Sequence, residues 1–396
     1  MKHSVSSSGK HVDRQIASVV ATLTRAKVRA LTARIQEVGG VNMGQGSNLL
    51  PTPAPLIDAA YHAMKCGQND YSVQEGIPEL RAEIATMIEY ETSLRVDPRT
   101  QVRITSGASG GFFSACRTLL EPGTEAIIFE PFYPYHVAAI ALTGSNIRFL
   151  REEPPEWKID LGALQNICGP QTRLLVLCNP TNPTCKVYRR DELQALVTFC
   201  RDRGIIVVSD EVYGSLTYDG REHVSIASLP GAAEHVVTVA SFSKSHAITG
   251  WRLGYMYGPE DLIERMTLVH DCLFVCAPRP FQHAMAHVLS THSVDLLEMR
   301  RAFVWRRDSI VTALKEAGFT PLPVEGTYYV FAGYRERYGE VSSASACKRL
   351  FEENLIATVP ASTFYHDGFD PQLLRFCYAL PESDIHHSVA LLKQHS

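Results

Sequence analysis

The sequence has no Cys-x-x-Cys pair and no His/Cys cluster at zinc-like spacing, which excludes the common structural zinc sites even though ten cysteines are present. Several of those cysteines sit in apolar runs, as Cys178 does at the end of Leu174-Leu175-Val176-Leu177, and read as reduced core thiols of a cytosolic protein. No apolar stretch approaches the roughly 20 residues that cross a bilayer, and no secretory hydrophobic core lies near Met1, so the chain is expected to be soluble and cytoplasmic. Nor does charge of one sign dominate. The net charge is -4 and no basic run is interleaved with aromatics, so nucleic acid and membrane surfaces are not the expected partners; small molecules or a second copy of the chain are. Internal repeats and low-complexity linkers are absent as well. The first 35 residues are rich in Ser, Lys, Arg and His, with Asp13 the only acid before Glu37, a composition that superficially suggests an organelle transit peptide. Ala17 to Ile35 also reads as an amphipathic helix leading into the segment at Val41, and that reading is preferred.

What is present is ordinary globular material: 396 residues, 45% hydrophobic and 20% charged, enough for two domains or one large domain with a satellite. Short apolar strands, Val102 to Thr105, Glu125 to Phe129, Leu174 to Cys178, Ile205 to Val208 and Val236 to Val239, alternate with helical stretches such as Arg190 to Arg203. Such alternation predicts an α/β fold, a mainly parallel sheet covered by helices on both faces. Beyond about Gln282 the pattern changes to longer helices, with Ser290 to Glu316 strongly helical, followed by strand-like Thr327 to Phe331 and Leu374 to Tyr378. The expected division is a large domain over 46-281 and a smaller α+β domain formed by 282-396 together with 1-45 as an N-terminal arm.

The residues that carry chemistry fall at the ends of these strands, where open α/β sheets bind their ligands. After Val236 to Val239 comes Ser241-Phe242-Ser243-Lys244, and then Gly250-Trp251-Arg252-Leu253-Gly254. A lysine amine condenses with an aldehyde only when deprotonated, and burial beside a cation such as Arg252 lowers its pKa in that direction. Ser241, Ser243 and Arg252 can bind the phosphate of an aldehyde cofactor. The strand before Ser106 opens into a glycine-rich turn, Gly107-Ala108-Ser109-Gly110-Gly111, whose free N-H groups and helix dipole suit the same phosphate. This turn is not spaced Gly-x-Gly-x-x-Gly, which makes a nicotinamide enzyme a weak competitor. Asp210 follows Ile205 to Val208; it can hold a pyridine nitrogen protonated so that the ring accepts electrons, or it can simply cap a helix. Tyr213, three residues on, can donate to a ring oxygen. Asn182, in the double-proline turn Asn179-Pro180-Thr181-Asn182-Pro183, can present its amide to the ring oxygen and to a substrate carboxylate. Arg375 lies inside the apolar run Leu374 to Tyr378 and needs an anionic partner, either an internal carboxylate or a substrate's.

Together these residues resemble the class I/II aminotransferase family of fold type I pyridoxal-phosphate enzymes, in the right order and over nearly the whole chain. Asn42-Met43-Gly44-Gln45-Gly46 resembles the family's substrate-binding glycine segment, and Asp70-Tyr71-Ser72 with Glu75 to Arg81 resembles its Tyr…Gly-x-x-x-Leu-Arg stretch. The resemblance implies pyridoxal 5'-phosphate as cofactor, with no metal. It puts Lys244 at the Schiff-base position, Ala108 and Ser109 at the phosphate turn, and Tyr133 stacked on the ring. Asn182, Asp210 and Tyr213 fall on the ring, Ser241, Ser243 and Arg252 on the phosphate side, and Gly46, Asn182 and Arg375 on the substrate. It further implies a homodimer in which Tyr71 reaches the neighbouring subunit's phosphate, and an amino group passed between an amino acid and a 2-oxo acid.

The sequence departs from the pattern at Cys185, where the family usually has Gly, and at His246, which adds a titratable group near the cofactor. Arg279, in Cys276-Ala277-Pro278-Arg279-Pro280, could read a substrate side chain or face solvent. These departures keep a second chemistry open: elimination, replacement or cyclisation at the β or γ carbon on the same scaffold. A non-enzymatic sensor is the third class, but such a protein carries an added DNA-binding domain, for which this sequence shows no room, and would be expected to lose Lys244 or Asp210.

Overall fold

The computed structural model describes residues 38–394 together with Val20 and Ile35. The rest of the amphipathic helix expected over Ala17 to Ile35 lies outside the described residues. The dominant feature is a seven-stranded sheet, in spatial order Val102–Ser106, Leu253–Tyr257, Val236–Ser241, Ile206–Asp210, Thr172–Cys178, Glu125–Glu130 and Asn146–Arg151. Every neighbouring pair is parallel except the two made by Leu253–Tyr257, which runs against both of its neighbours. Successive side chains of a strand face opposite ways, so the continuous apolar run Leu174 to Leu177 feeds two cores. Leu175 and Leu177 pack with Leu193, Leu196 and Val197 of the helix Arg190–Arg201. Leu174 and Val176 pack with Phe112, Ala115 and Cys116 of the helix Gly107–Leu119. Helices therefore cover both faces, as the sequence predicts for a buried parallel sheet.

Because the parallel strands all point one way, their carboxyl ends, Ser106, Glu130, Cys178, Asp210 and Ser241, share one edge of the sheet. A second, antiparallel sheet contributes the rest of the site. Its order is Val359–Pro360, Leu373–Cys377, Tyr329–Gly333 and Thr320–Pro321, with Phe331 opposite Arg375. The segment before residue 46 belongs with this part: Val41–Asn42 pairs in parallel with Ile356–Ala357, and the Cys377 amide donates to the Met43 carbonyl at 2.7 Å. That thread carries Gly44 and Gly46 alongside the Arg375 strand.

Three elements differ from the sequence reading. The edge strand Asn146–Arg151 was not foreseen, its side chains being mostly part-exposed and only Leu150 buried. The strand Leu253–Tyr257 was not foreseen either, because Gly254 interrupts its apolar run. The long helix expected over Ser290 to Glu316 is two helices, Arg279–Thr291 and Leu296–Glu316. His292 adopts φ 48°, which stops the first, and the Asp295 carboxylate accepts from the Leu297 and Glu298 amides, which starts the second. The helix Arg279–Thr291 sends Ala284, Met285 and Val288 into the core that also holds Ile104 and Leu253. No helix among the described residues is long and apolar enough to cross a membrane.

Candidate active site

Lys244 sits on a single helical turn, Phe242–Ser245, directly after the strand ending at Ser241. The turn forms because Ser241 caps it: its hydroxyl accepts the Ser243 amide at 3.1 Å and lies 2.9 Å from both Ser243 Oγ and the Leu253 carbonyl. The two serine hydroxyls thus hold the turn that carries Lys244. Lys244 Nζ donates to the Gly46 carbonyl at 3.2 Å and pairs with no carboxylate among the described residues. Burial above all pulls this amine down to about 8; the Asp210 carboxylate opposes the shift, and Arg252 and Arg375 add to it. The sequence reading attributed the effect to burial and Arg252 together, and burial is the larger cause.

At the neighbouring strand end, the helix Gly107–Leu119 begins where Gly107 takes φ 67°. A Cβ on Gly107 would press into the Arg252 guanidinium, and one on Gly254 would stand 2.7 Å from the Ala108 amide. The Arg252 side chain and the first turn of that helix therefore lie against one another with nothing but hydrogen between them, and Ser109 is exposed on the same turn. A cation beside the positive end of a 13-residue helix is an arrangement that favours an anion between them.

Asp210 ends its strand buried, and no helix follows it, so helix capping is not its role. Its Oδ1 accepts the Val212 amide at 3.2 Å, and Oδ2 lies 2.9 Å from His136 Nε2. His136, buried on the helix Pro134–Ala141, packs at 4.3 Å from Phe112 and edge-on to Tyr133 at 5.2 Å. The sequence reading missed His136, although it stands three residues after Tyr133, because only its neighbours across the fold give it a partner.

Tyr213 is buried, and burial pushes its phenol well above the ordinary value, so it is a neutral donor. Its hydroxyl is 3.0 Å from that of Tyr329, a second residue the sequence reading missed. Arg375 Nη1 donates to Asn182 Oδ1 at 2.8 Å and Nη2 to the Gly44 carbonyl at 3.0 Å; its guanidinium lies over the rings of Tyr329, at 4.3 Å, and Phe364, at 5.0 Å. Among the described residues no carboxylate pairs with this buried arginine, and its Nε has no partner at all. The internal salt bridge offered as the plainer account of Arg375 is thus not there.

Of the candidate residues, the structure brings Lys244 to Gly46, Asn182 to Arg375, Arg252 to Gly107, and Asp210 toward Tyr133 through His136. Tyr71 is not brought to them; it is 76% exposed. Arg279 pairs with Asp70 and contacts the Tyr71 carbonyl at 3.4 Å. Two residues read from departures are also placed. His246 is buried and held neutral, its pKa pulled down to about 4, with Nδ1 2.8 Å from Ser245 Oγ; it is no titratable group at physiological pH, contrary to the sequence expectation. Cys185 adopts φ 65°, the left-handed conformation that suits glycine, and its Sγ lies 3.0 Å from the Tyr329 carbonyl.

A low-pKa lysine, a strand-end carboxylate and a helix start beside a guanidinium thus lie along one edge of the large sheet, and from the second sheet Arg375, with no carboxylate partner among the described residues, reaches Asn182. The family model for aminotransferase class I and II matches residues 38–392, and the chain belongs to that family. It is 30% identical over 364 residues to the methionine aminotransferase of Escherichia coli, covering 92% of this chain and 94% of that one. It is 33% identical over 347 residues to a probable N-succinyldiaminopimelate aminotransferase of Mycobacterium tuberculosis, covering 87% and 86%. The solved structure of the E. coli methionine aminotransferase superposes with a TM-score of 0.92 at 29% identity, over 96% of this chain and all of that one. The protein is an aminotransferase.

Proposed function

We propose that this aminotransferase uses pyridoxal 5'-phosphate held at Lys244 and moves the amino group of an amino acid to a 2-oxo acid in two half-reactions. The single observation that carries the reading is the Lys244 amine, buried, without a carboxylate partner among the described residues and pulled down to about 8. The residues fit the cofactor. The cradle of Gly107, Ala108, Ser109 and Arg252, with Ser241 and Ser243, suits its phosphate, Asp210 its ring nitrogen, Tyr133 its ring face, and Asn182 and Tyr213 its ring oxygen. When bound, the cofactor supplies an electron sink for the substrate's α carbon.

The chain's own residues do the rest. Lys244 gives up its place to the substrate amine and then carries a proton to and from the α carbon, which an amine held at the Gly46 carbonyl and brought down to about 8 is placed to do. Asp210 keeps a cationic ring nitrogen charged, and His136 orients that carboxylate. Arg375 offers its fork to the substrate carboxylate beside Asn182, and that carboxylate satisfies the orphaned Nε. Arg279, committed to Asp70, is not free to read a second carboxylate, which supports an amino donor with an uncharged side chain.

The chain is read as a larger body, residues 46 to about 291, and a smaller one formed by the remainder. The packing of the helix Arg279–Thr291 supports drawing that line after Thr291 rather than at 281. A cytoplasmic homodimer, with Tyr71 reaching the neighbouring site, is part of the same proposal. Two helices support it by exposing apolar residues, Ile57, Tyr61 and Met64 on Ala54–Lys65 and Leu268 within, with Val275 just beyond, Glu260–Phe274. The deciding experiment incubates the enzyme with single amino acids, with and without a 2-oxo acid. Transamination predicts one equivalent of oxo acid per site without acceptor and sustained turnover only with it; sustained turnover without acceptor would establish elimination or cyclisation instead.

A further inference from the structure

Tyr329 belongs to none of the motifs that mark the site, yet it touches three of them. Its backbone is fixed on the Tyr329–Gly333 strand, opposite Cys377, and its carbonyl faces Cys185 Sγ at 3.0 Å. Its ring lies under the Arg375 guanidinium at 4.3 Å. Its hydroxyl lies 3.0 Å from Tyr213 Oη. A Cβ at position 46 would press into that same hydroxyl, so the absence of a side chain on Gly46 is what allows the thread, the strand and Tyr213 to meet. Tyr329 is 1% exposed, so its hydroxyl must be satisfied inside the protein, and a phenylalanine would fill the space without that demand.

We infer that Tyr329 is a positioning residue for the reaction: its hydroxyl donates to Tyr213 and sharpens the Tyr213 hydrogen bond to the cofactor, while its ring holds the Arg375 fork flat for the substrate carboxylate. The inference rests on the reading above that Tyr213 faces the cofactor. One proton lies between the two phenols. If Tyr213 spends its own proton on the ring oxygen, the hydrogen bond between the phenols must be filled from Tyr329, and a hydroxyl that accepts one hydrogen bond donates the next more strongly. Both phenols stay protonated, since burial raises each of them, Tyr329 to about 12 and Tyr213 well above its ordinary value, although Arg375 lowers Tyr329 in part. The other titratable groups that act on Tyr329 are Tyr328, on the adjacent position, and Cys377, across the strand pair. Neither changes charge near neutral pH, because burial raises both. The ring acts separately, because stacking under a guanidinium needs the aromatic face and not the hydroxyl.

The test uses the cofactor-loaded enzyme and two substitutions that separate the halves of the side chain. Tyr329→Phe keeps the ring, so the pH midpoint of the bound cofactor's visible absorbance is expected to rise by roughly 0.3 to 1 unit, with the KM for the amino acid within about twofold. Tyr329→Leu removes the ring too, and KM is expected to rise about tenfold beyond that, with a smaller change in kcat. Tyr213→Phe is the control: it should raise the midpoint further, and Tyr329→Phe added to it should change nothing more. If Tyr213→Phe moves the midpoint and Tyr329→Phe does not, the inference fails while the site reading stands. If neither moves it, Tyr213 does not face the cofactor and both fail. Equal KM values for the Phe and Leu variants overturn the part assigned to the ring.

Discussion

The Lys244 amine has one acceptor, the Gly46 carbonyl, and sits at about 8 rather than at the 10.5 of an ordinary lysine, chiefly through burial. Only the neutral amine attacks an aldehyde, so uptake of pyridoxal phosphate by the cofactor-free protein should be fastest above about pH 8 and slow about tenfold per unit below it. Stopped-flow absorbance reads this, and a flat profile between about pH 6 and 9 would contradict it. The same shift acts on stability. Between 8 and 10.5 the unfolded chain binds more protons at this group than the folded one, so stability of the cofactor-free protein rises with pH across that window, and the group's penalty is fully present below it. Replacing the charge by Lys244→Met should therefore raise the melting temperature of the cofactor-free protein at neutral pH while abolishing turnover. At Asp210, His136→Phe removes the neighbour of Oδ2 and leaves a buried carboxylate short of a partner. A fall of about 10- to 100-fold in kcat with little change in KM is expected. Lys244, Asp210 and Arg375 were legible in the sequence because each follows or interrupts an apolar strand run. His136 and Tyr329 were not, since the partners that give them meaning stand 74 and 116 residues away.

At the scale of elements, the turn from Ser106 into the helix Gly107–Leu119 is the proposed phosphate cradle. A methyl group on Gly107 meets both a left-handed backbone and the Arg252 guanidinium, which costs about 1–3 kcal/mol at that turn. Gly107→Ala is expected to weaken cofactor retention by about tenfold or more in dialysis followed by absorbance, with the fold retained by circular dichroism. The strand order was only partly legible. Apolar runs marked the buried central strands, whereas Asn146–Arg151 is an edge strand with part-exposed residues and gave no such run. The break at His292 escaped for a different reason: no glycine or proline marks it, and the Asp295 cap is the signal of the restart.

At the scale of the molecule, a site assembled from the edge of one sheet, a strand of another and the Gly44–Gly46 thread needs all three in register, and Tyr71 stands exposed, as the proposed homodimer requires. Sedimentation should show a dimer, and Tyr61→Asp with Leu268→Asp, placing charge among both sets of exposed apolar residues, should give monomers that lose cofactor and activity together. The claim on which everything else depends is that Lys244 holds the cofactor. Treating the loaded enzyme with borohydride and mapping its peptides by mass measures this directly: one pyridoxyl group per chain on the peptide carrying Lys244 is predicted, and a group on any other lysine, or none, would contradict it.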